Sequence, residues 1–241
     1  MCAAALAWPA SAHAQPRQLR WDAPVDFSVT LGGAALWLTS VALHPVLAPR
    51  ACRWCDADAV DLAARDSLAW RRPALADEAS DLTAGALAPT AAIGLDALAS
   101  AHDRAPGGAG TDALLIFEAT VLALDLDEIT KLLVARERPY LREPYPDGVE
   151  RPRSPDDFLS FFSGHTTEAF ALASASGTVA SMRGYRWAPA VWAAGETLAA
   201  ATGYLRIAAD RHWLTDVLVG LAVGVGVGVA VPLLFHSPVS D

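Results

Sequence analysis

The chain has 241 residues, 53% hydrophobic and 19% charged, with a net charge of −9. This is the length of one domain, with enough apolar sequence for a large core or a membrane-embedded bundle. The acidic balance and the lack of a basic stripe exclude nucleic acid as a partner. The mean hydropathy of +0.28 lies between soluble and membrane classes.

Residues 1–14 read as the back half of a secretory signal, ending in the small-x-small pattern Ala12-His13-Ala14. The basic stretch that usually opens such a signal is missing. Residues 15–241 read as a single domain. From Phe27 to Pro49, 23 residues carry no Asp, Glu, Lys or Arg, enough to span a bilayer. Residues 50–81 are polar, with a short helix expected around Ala57 to Trp70 and broken at Arg72-Pro73. Cys52 and Cys55 supply only two metal ligands. They read as a local disulfide in an oxidising compartment, or as two free thiols.

Thr83 to Ala101 is a second apolar stretch, marked by Asp96. After a glycine-rich loop at 105–110, Asp112 is expected to cap a helix running from Ala113 to about Glu137. Residues 139–160 hold five prolines and read as a long exposed loop. Thr166 to Met182 and Trp187 to Leu205 follow as apolar helices, joined by Arg183-Gly184-Tyr185-Arg186. The last segment, Val217 to Phe235, is uncharged. Gly220, Gly224 and Gly228 recur every fourth residue, which makes one smooth helix face for close packing. The expected fold is therefore all-α, a membrane-embedded bundle of about six apolar helices.

In such a bundle, residues 131–160 and 206–213 share one end, and the Arg183/Arg186 turn lies at the other. Positive charge in that short turn makes it cytoplasmic, so the first end faces outside. With six spans this requires a cytoplasmic N-terminus, which a cleaved signal would not leave. Asp96, Glu118, Asp125 and Glu196 within the apolar segments leave the number of true spans open.

Three short stretches carry chemistry. Lys131, the single lysine against 17 arginines, stands seven residues before Arg138, about two helical turns. Ser163-Gly164-His165 opens an apolar helix, where free amides favour an anion and a histidine can protonate a leaving oxygen. Arg206, His212 and Asp216 open the last helix, with His212 and Asp216 at i and i+4 on one face. Each stretch alone has an ordinary reading: a basic helix end, a capped helix, a surface His–Asp pair.

Together, Lys131-x6-Arg138-Pro139, Ser163-Gly164-His165 and Arg206-x5-His212-x3-Asp216 resemble the signature of the type-2 phosphatidic acid phosphatase superfamily. That superfamily includes lipid phosphatases, class A acid phosphatases and vanadium haloperoxidases. The motifs occupy 131–139, 163–165 and 206–216. Phe162 and Leu205 depart from the family pattern, where a proline and a serine usually stand. Neither change removes a titrating group.

The resemblance implies that His212 is the nucleophile forming a phosphohistidine, oriented by Asp216, and that His165 protonates the leaving alkoxide. Lys131, Arg138, Arg206, Ser163 and the Gly164 amide would hold the phosphoryl oxygens. No metal or other cofactor is expected, since the cations supply the charge. The expected substrate is a lipid phosphate monoester or isoprenoid diphosphate, met at the membrane of a bacterial-type envelope on its periplasmic side. Two alternatives stand beside it: a soluble periplasmic acid phosphatase for small esters, and a catalytically silent membrane scaffold.

Overall fold

Asp22 opens the first helix by accepting the Val25 amide at 3.1 Å, with Pro24 in the first turn. In the computed structural model, which describes residues 15–144 and 151–239, this helix (α1) spans Ala23–Ala42. The signal-like segment 1–14 and part of the proline-rich loop, 145–150, lie outside the described residues. A single turn, α2 (His44–Leu47), follows α1. Next come α3 (Ala59–Leu68), capped by Asp58, and α4 (Pro73–Leu82), which starts at the proline expected to break the chain.

α4 continues through a π-turn at Thr83–Leu87 into α5 (Ala88–His102). The wide turn precedes Pro89, whose ring and missing amide a regular helix would not accommodate. The remaining helices are α6 (Ala109–Val134), α7 (Gly164–Arg183), α8 (Ala188–Ala208) and α9 (Leu214–Phe235). The expected all-α bundle is observed. Among the described residues there are six long helical passes: α1, α4–α5, α6, α7, α8 and α9.

Three of these passes are long and apolar enough to cross a membrane: Ala23–Ala42, Pro73–His102 and Leu214–Phe235. Phe27, Leu31, Leu36 and Leu38 on α1, with Leu218, Leu233, Leu234 and Phe235 on α9, turn large apolar side chains outward. Such a surface belongs in lipid rather than water.

α7 is the centre, with seventeen of its twenty residues buried, most of them small. Its neighbours therefore approach closely. The glycine stripe of α9 lies against it: a Cβ on Gly220 would come within 2.8 Å of the Ser163 carbonyl, and one on Gly228 within 2.7 Å of the Ala171 carbonyl. This contact has a functional consequence. It fixes the start of α9, with Asp216, beside the start of α7, where the Ser163 amide donates to the Asp216 carbonyl at 3.2 Å.

Several expectations are corrected. Asp112 does not cap α6, because it lies inside the first turn and accepts from Arg183 Nε at 2.7 Å and from the Tyr185 hydroxyl at 2.8 Å. α6 ends at Val134 rather than near Glu137. Ala135 turns left-handed at φ 51° and throws the next residues into extended chain. The proline-rich segment is not simply exposed, since Asp157, Leu159 and Ser160 are buried. It packs back on the extended chain, with the Arg138 amide donating to the Asp157 carbonyl at 3.0 Å.

At the opposite end of the bundle, the Arg17 amide donates to the Arg183 carbonyl, and Leu19 pairs antiparallel with Pro238. The N-terminal strap, the Arg183 turn and the C-terminus thus share one end, as the six-pass topology requires.

Candidate active site

Lys131, Arg138, Gly164, His165, Arg206 and His212 line one cavity of about 330 Å³. Three sequence segments thus converge on one space, wide enough for an anionic group and part of what it is attached to. Ser163 and Asp216, both fully buried, stand behind it.

His212 follows a left-handed residue, Asp210 (φ 57°), which Arg65 grips with Nε at 2.7 Å and Nη2 at 2.8 Å. The His212 Nδ1 donates to the Ser160 carbonyl at 2.7 Å. A carbonyl only accepts, so the proton sits on Nδ1 and the Nε2 lone pair is left toward the cavity. Arg138 Nη1 lies 3.2 Å from that nitrogen. Burial, reinforced by Arg138, Arg206 and Lys131, holds the His212 imidazole well below its ordinary titration range. The ring is therefore neutral at physiological pH.

Asp216 is placed differently from the expected direct partner. Its Oδ2 lies 3.6 Å from His212 Nδ1, outside hydrogen-bond range. That oxygen accepts from the Ser160 hydroxyl at 2.6 Å and the Trp213 amide at 2.9 Å. Asp216 therefore fixes Ser160, whose carbonyl in turn fixes the histidine. Its Oδ1 pairs with Arg136 Nη1 at 2.5 Å, and Arg136 Nη2 pairs with Asp61 at 2.5 Å. The guanidinium lies 3.8 Å over the Trp54 ring and is 1% exposed. Asp61–Arg136–Asp216 is a buried scaffold under His212 that sequence reasoning missed. Its one signal was the arginine between Lys131 and Arg138, which looked like an ordinary surface charge.

The cations are held in readiness. Lys131 Nζ pairs with Asp127 at 2.6 Å. Gly164 is what lets that lysine reach the start of α7, since a Cβ there would lie 2.8 Å from Nζ. The left-handed turn at Ala135 separates Arg138 from α6, so the two cations do not share a helix as expected. Arg138 comes instead on extended chain, donating to the carbonyls of Asp156 at 2.8 Å and Arg211 at 3.1 Å. Arg206 Nη1 donates to Asp77 at 2.8 Å and the Ser80 hydroxyl at 2.7 Å, while its buried Nε has no partner among the described residues.

Arg211, also missed as a site residue, donates to Asp77 at 2.5 Å. Ser163 occupies the N-cap position of α7, but its hydroxyl bonds the Thr166 hydroxyl at 2.8 Å rather than a backbone amide. The first amides of α7 have no intrahelical partner and are left for a ligand.

His165 Nε2 donates to Asp81 at 2.8 Å, in a pair that is partly exposed. Burial and the surrounding cations, Arg206 first among them, hold its imidazole far below its ordinary range. An anion arriving among those cations reverses the electrostatic part of that effect. Asp77 and Asp81 lie one turn apart on α4 and read in sequence as an ordinary solvated face. His44 also lines the cavity, paired with Glu128. Its interactions with Asp156 and Glu128 push its pKa up to about 9, so it adds a cation at the rim.

Comparison with known proteins gives the family and the fold. Residues 112–238, more than half the chain, match the family model described as the PAP2 superfamily. A stretch of 66 residues is 45% identical to the lipid A 1-phosphatase of Porphyromonas gingivalis. It covers 27% of this chain but only 14% of that relative. The crystal structure of a transmembrane PAP2-type phosphatidylglycerolphosphate phosphatase from Bacillus subtilis superposes with a TM-score of 0.52 at 18% identity. The match covers 83% of this chain and 93% of that one. The likeness establishes a shared membrane-bundle fold.

Proposed function

The chain belongs to the PAP2 superfamily, and from that premise we propose that it hydrolyses a lipid phosphate monoester or isoprenoid diphosphate through a phosphohistidine on His212. The observation that carries this reading is the convergence of two histidines and three cations on one cavity, with a neutral Nε2 presented to it.

In the proposed reaction the phosphoryl group enters between Lys131, Arg138, Arg206 and the first amides of α7. His212 Nε2 attacks phosphorus, the P–O bond to the leaving group breaks, and His165 gives that oxygen its proton. Water then attacks phosphorus and gives its proton to His165, the N–P bond breaks with its electron pair returning to His212 Nε2, and phosphate leaves. Phosphate esters are very slow to hydrolyse unaided, so fixed charge supplies much of the acceleration. Asp216, linked through Ser160 and lying near Nδ1, stabilises the ring as it becomes positively charged.

A lipid substrate is supported by the cavity wall on the α1 side, where Trp37, Val41 and Leu124 stand beside the charged floor. The outward-facing apolar helices bring that wall to the membrane. The site is proposed to face outside the cytoplasm because the Cys52–Cys55 disulfide lies at its end of the bundle, next to Arg53 and Trp54, which bond the Ala135–Glu137 chain. Disulfides persist in oxidising compartments. Arg17 and Arg183 then lie on the cytoplasmic side.

The test is phosphate release by protein in detergent from phosphatidate, an isoprenoid diphosphate and a soluble aryl phosphate. Preference for a lipid substrate, lost in His212→Ala, is expected. Equal turnover of the aryl ester would favour the acid-phosphatase reading, and no turnover of any would favour a scaffold.

A further inference from the structure

At the end of the bundle opposite the phosphate cavity, three side chains from distant parts of the sequence meet. Asp26 lies in the first turn of α1, Glu118 in α6, and His236 just beyond α9. One ligand-capable atom from each lies within 4.8 Å of the other two, and all three residues are at most 5% exposed.

Their hydrogen bonding is incomplete in a specific way. Asp26 Oδ2 accepts from the Asp22 amide at 2.7 Å. Glu118 Oε2 and His236 Nε2 are buried with no hydrogen-bond partner among the described residues, and Nε2 stands 3.6 Å from Glu118 Oε1. His236 Nδ1 lies 3.1 Å from the Arg20 carbonyl. That carbonyl can only accept, so Nδ1 carries a proton and the buried Nε2 faces two carboxylates. Buried acceptors facing one another need something electron-poor between them.

We propose that Asp26, Glu118 and His236 form a structural site for a divalent transition-metal cation. A proton on Nε2 would serve one oxygen and leave two carboxylates sharing a single positive charge. A divalent ion balances both and uses the idle lone pairs of Glu118 and His236 together. An Nδ1–H bonded to a backbone carbonyl is the usual way a protein orients a ligating imidazole. One imidazole with two carboxylates suits zinc(II) or manganese(II). Around zinc(II), bonds of about 2.0–2.1 Å set ligand atoms roughly 3.3–3.5 Å apart, so the trio closes by side-chain adjustment.

The ion would clasp three parts of the chain at one point. The strands it ties are already adjacent: the Arg20 amide donates to the Ser237 carbonyl at 3.2 Å and the Val239 amide to the Gln18 carbonyl at 2.9 Å.

The test uses the full chain in detergent, stripped with chelator and titrated with zinc(II) or manganese(II), with bound metal and thermal unfolding both measured. One ion per chain is expected, with an unfolding midpoint raised on the order of 5 °C at a hundredfold excess over the dissociation constant. Both effects should be lost in His236→Ala and in the isosteric Glu118→Gln. Should either variant fail to fold, cobalt(II) bound to the wild type decides. Its visible spectrum should show nitrogen and oxygen ligands without thiolate bands. Phosphate release at low temperature should be unaffected by stripping, so this proposal and the phosphatase reading fail separately. A wild type that binds no ion, or a His236→Ala variant that binds it equally well, would overturn the proposal.

Discussion

Gly224→Ala isolates the packing that sets the site. A methyl group at Gly224 would lie 2.6 Å from the Thr167 carbonyl, 2.8 Å from Phe170 Cβ and 3.1 Å from the Ala171 amide, where ordinary contact begins at 3.4 Å. Two of these neighbours are backbone and cannot swing aside, so α9 must retreat from α7 by roughly 1 Å, at a cost of about 1–3 kcal/mol. The shift passes to the start of α9, where Asp216 meets Ser163, and separates His212 from the α7 groups. A displacement of that size costs about 10²-fold in rate. Gly226, two residues on, has nothing within 4 Å and provides the matched control. The assay compares kcat/KM and unfolding midpoint for Gly224→Ala and Gly226→Ala. A large loss in the first and none in the second is expected. Equal activities would refute the view that the glycine stripe aligns the two motifs.

Arg136→Met leaves Asp61 and Asp216, both fully buried, without their shared cation. Breaking such a pair costs about 3–5 kcal/mol, so thermal unfolding should fall by roughly 6–20 °C, and a change under 2 °C would contradict the scaffold role. Nitrogen-15 NMR of labelled histidines reads two titrations at once. His212, depressed by burial and cations, should titrate well below the ordinary histidine range, and an inflection near 6.5 would refute that depression. His44, raised to about 9, should stay protonated until the pH approaches that value. The stabilisation from His44 is then fully present below its unfolded value of about 6.5 and is lost as the pH rises through 9.

The groups that line the cavity were legible because chemistry and spacing coincide. Gly220, Gly224 and Gly228 revealed a packing face, and Arg72-Pro73 marked a real break. The left-handed turn at Ala135 was not legible, since alanine carries no signal for that conformation. It is held there by tertiary bonds, the Arg53 amide donating to its carbonyl at 2.9 Å. Missing that turn put Arg138 on the wrong element and hid Arg136. Asp77 and Asp81 escaped because a carboxylate that grips a cavity-lining cation looks, in sequence, like one facing water. Asp26, Glu118 and His236 share no motif and meet only through the bundle. The Ser160 carbonyl, which sets the His212 tautomer, belongs to backbone that any residue could supply.

The account depends most directly on a covalent bond between phosphorus and His212. Rapid quenching of the enzyme with a phosphorus-32 substrate should trap a label that is stable in base, labile in acid and located on His212. His212→Asn should show neither label nor turnover. Turnover that persists in His212→Asn, or a label that resides on another side chain, would contradict it.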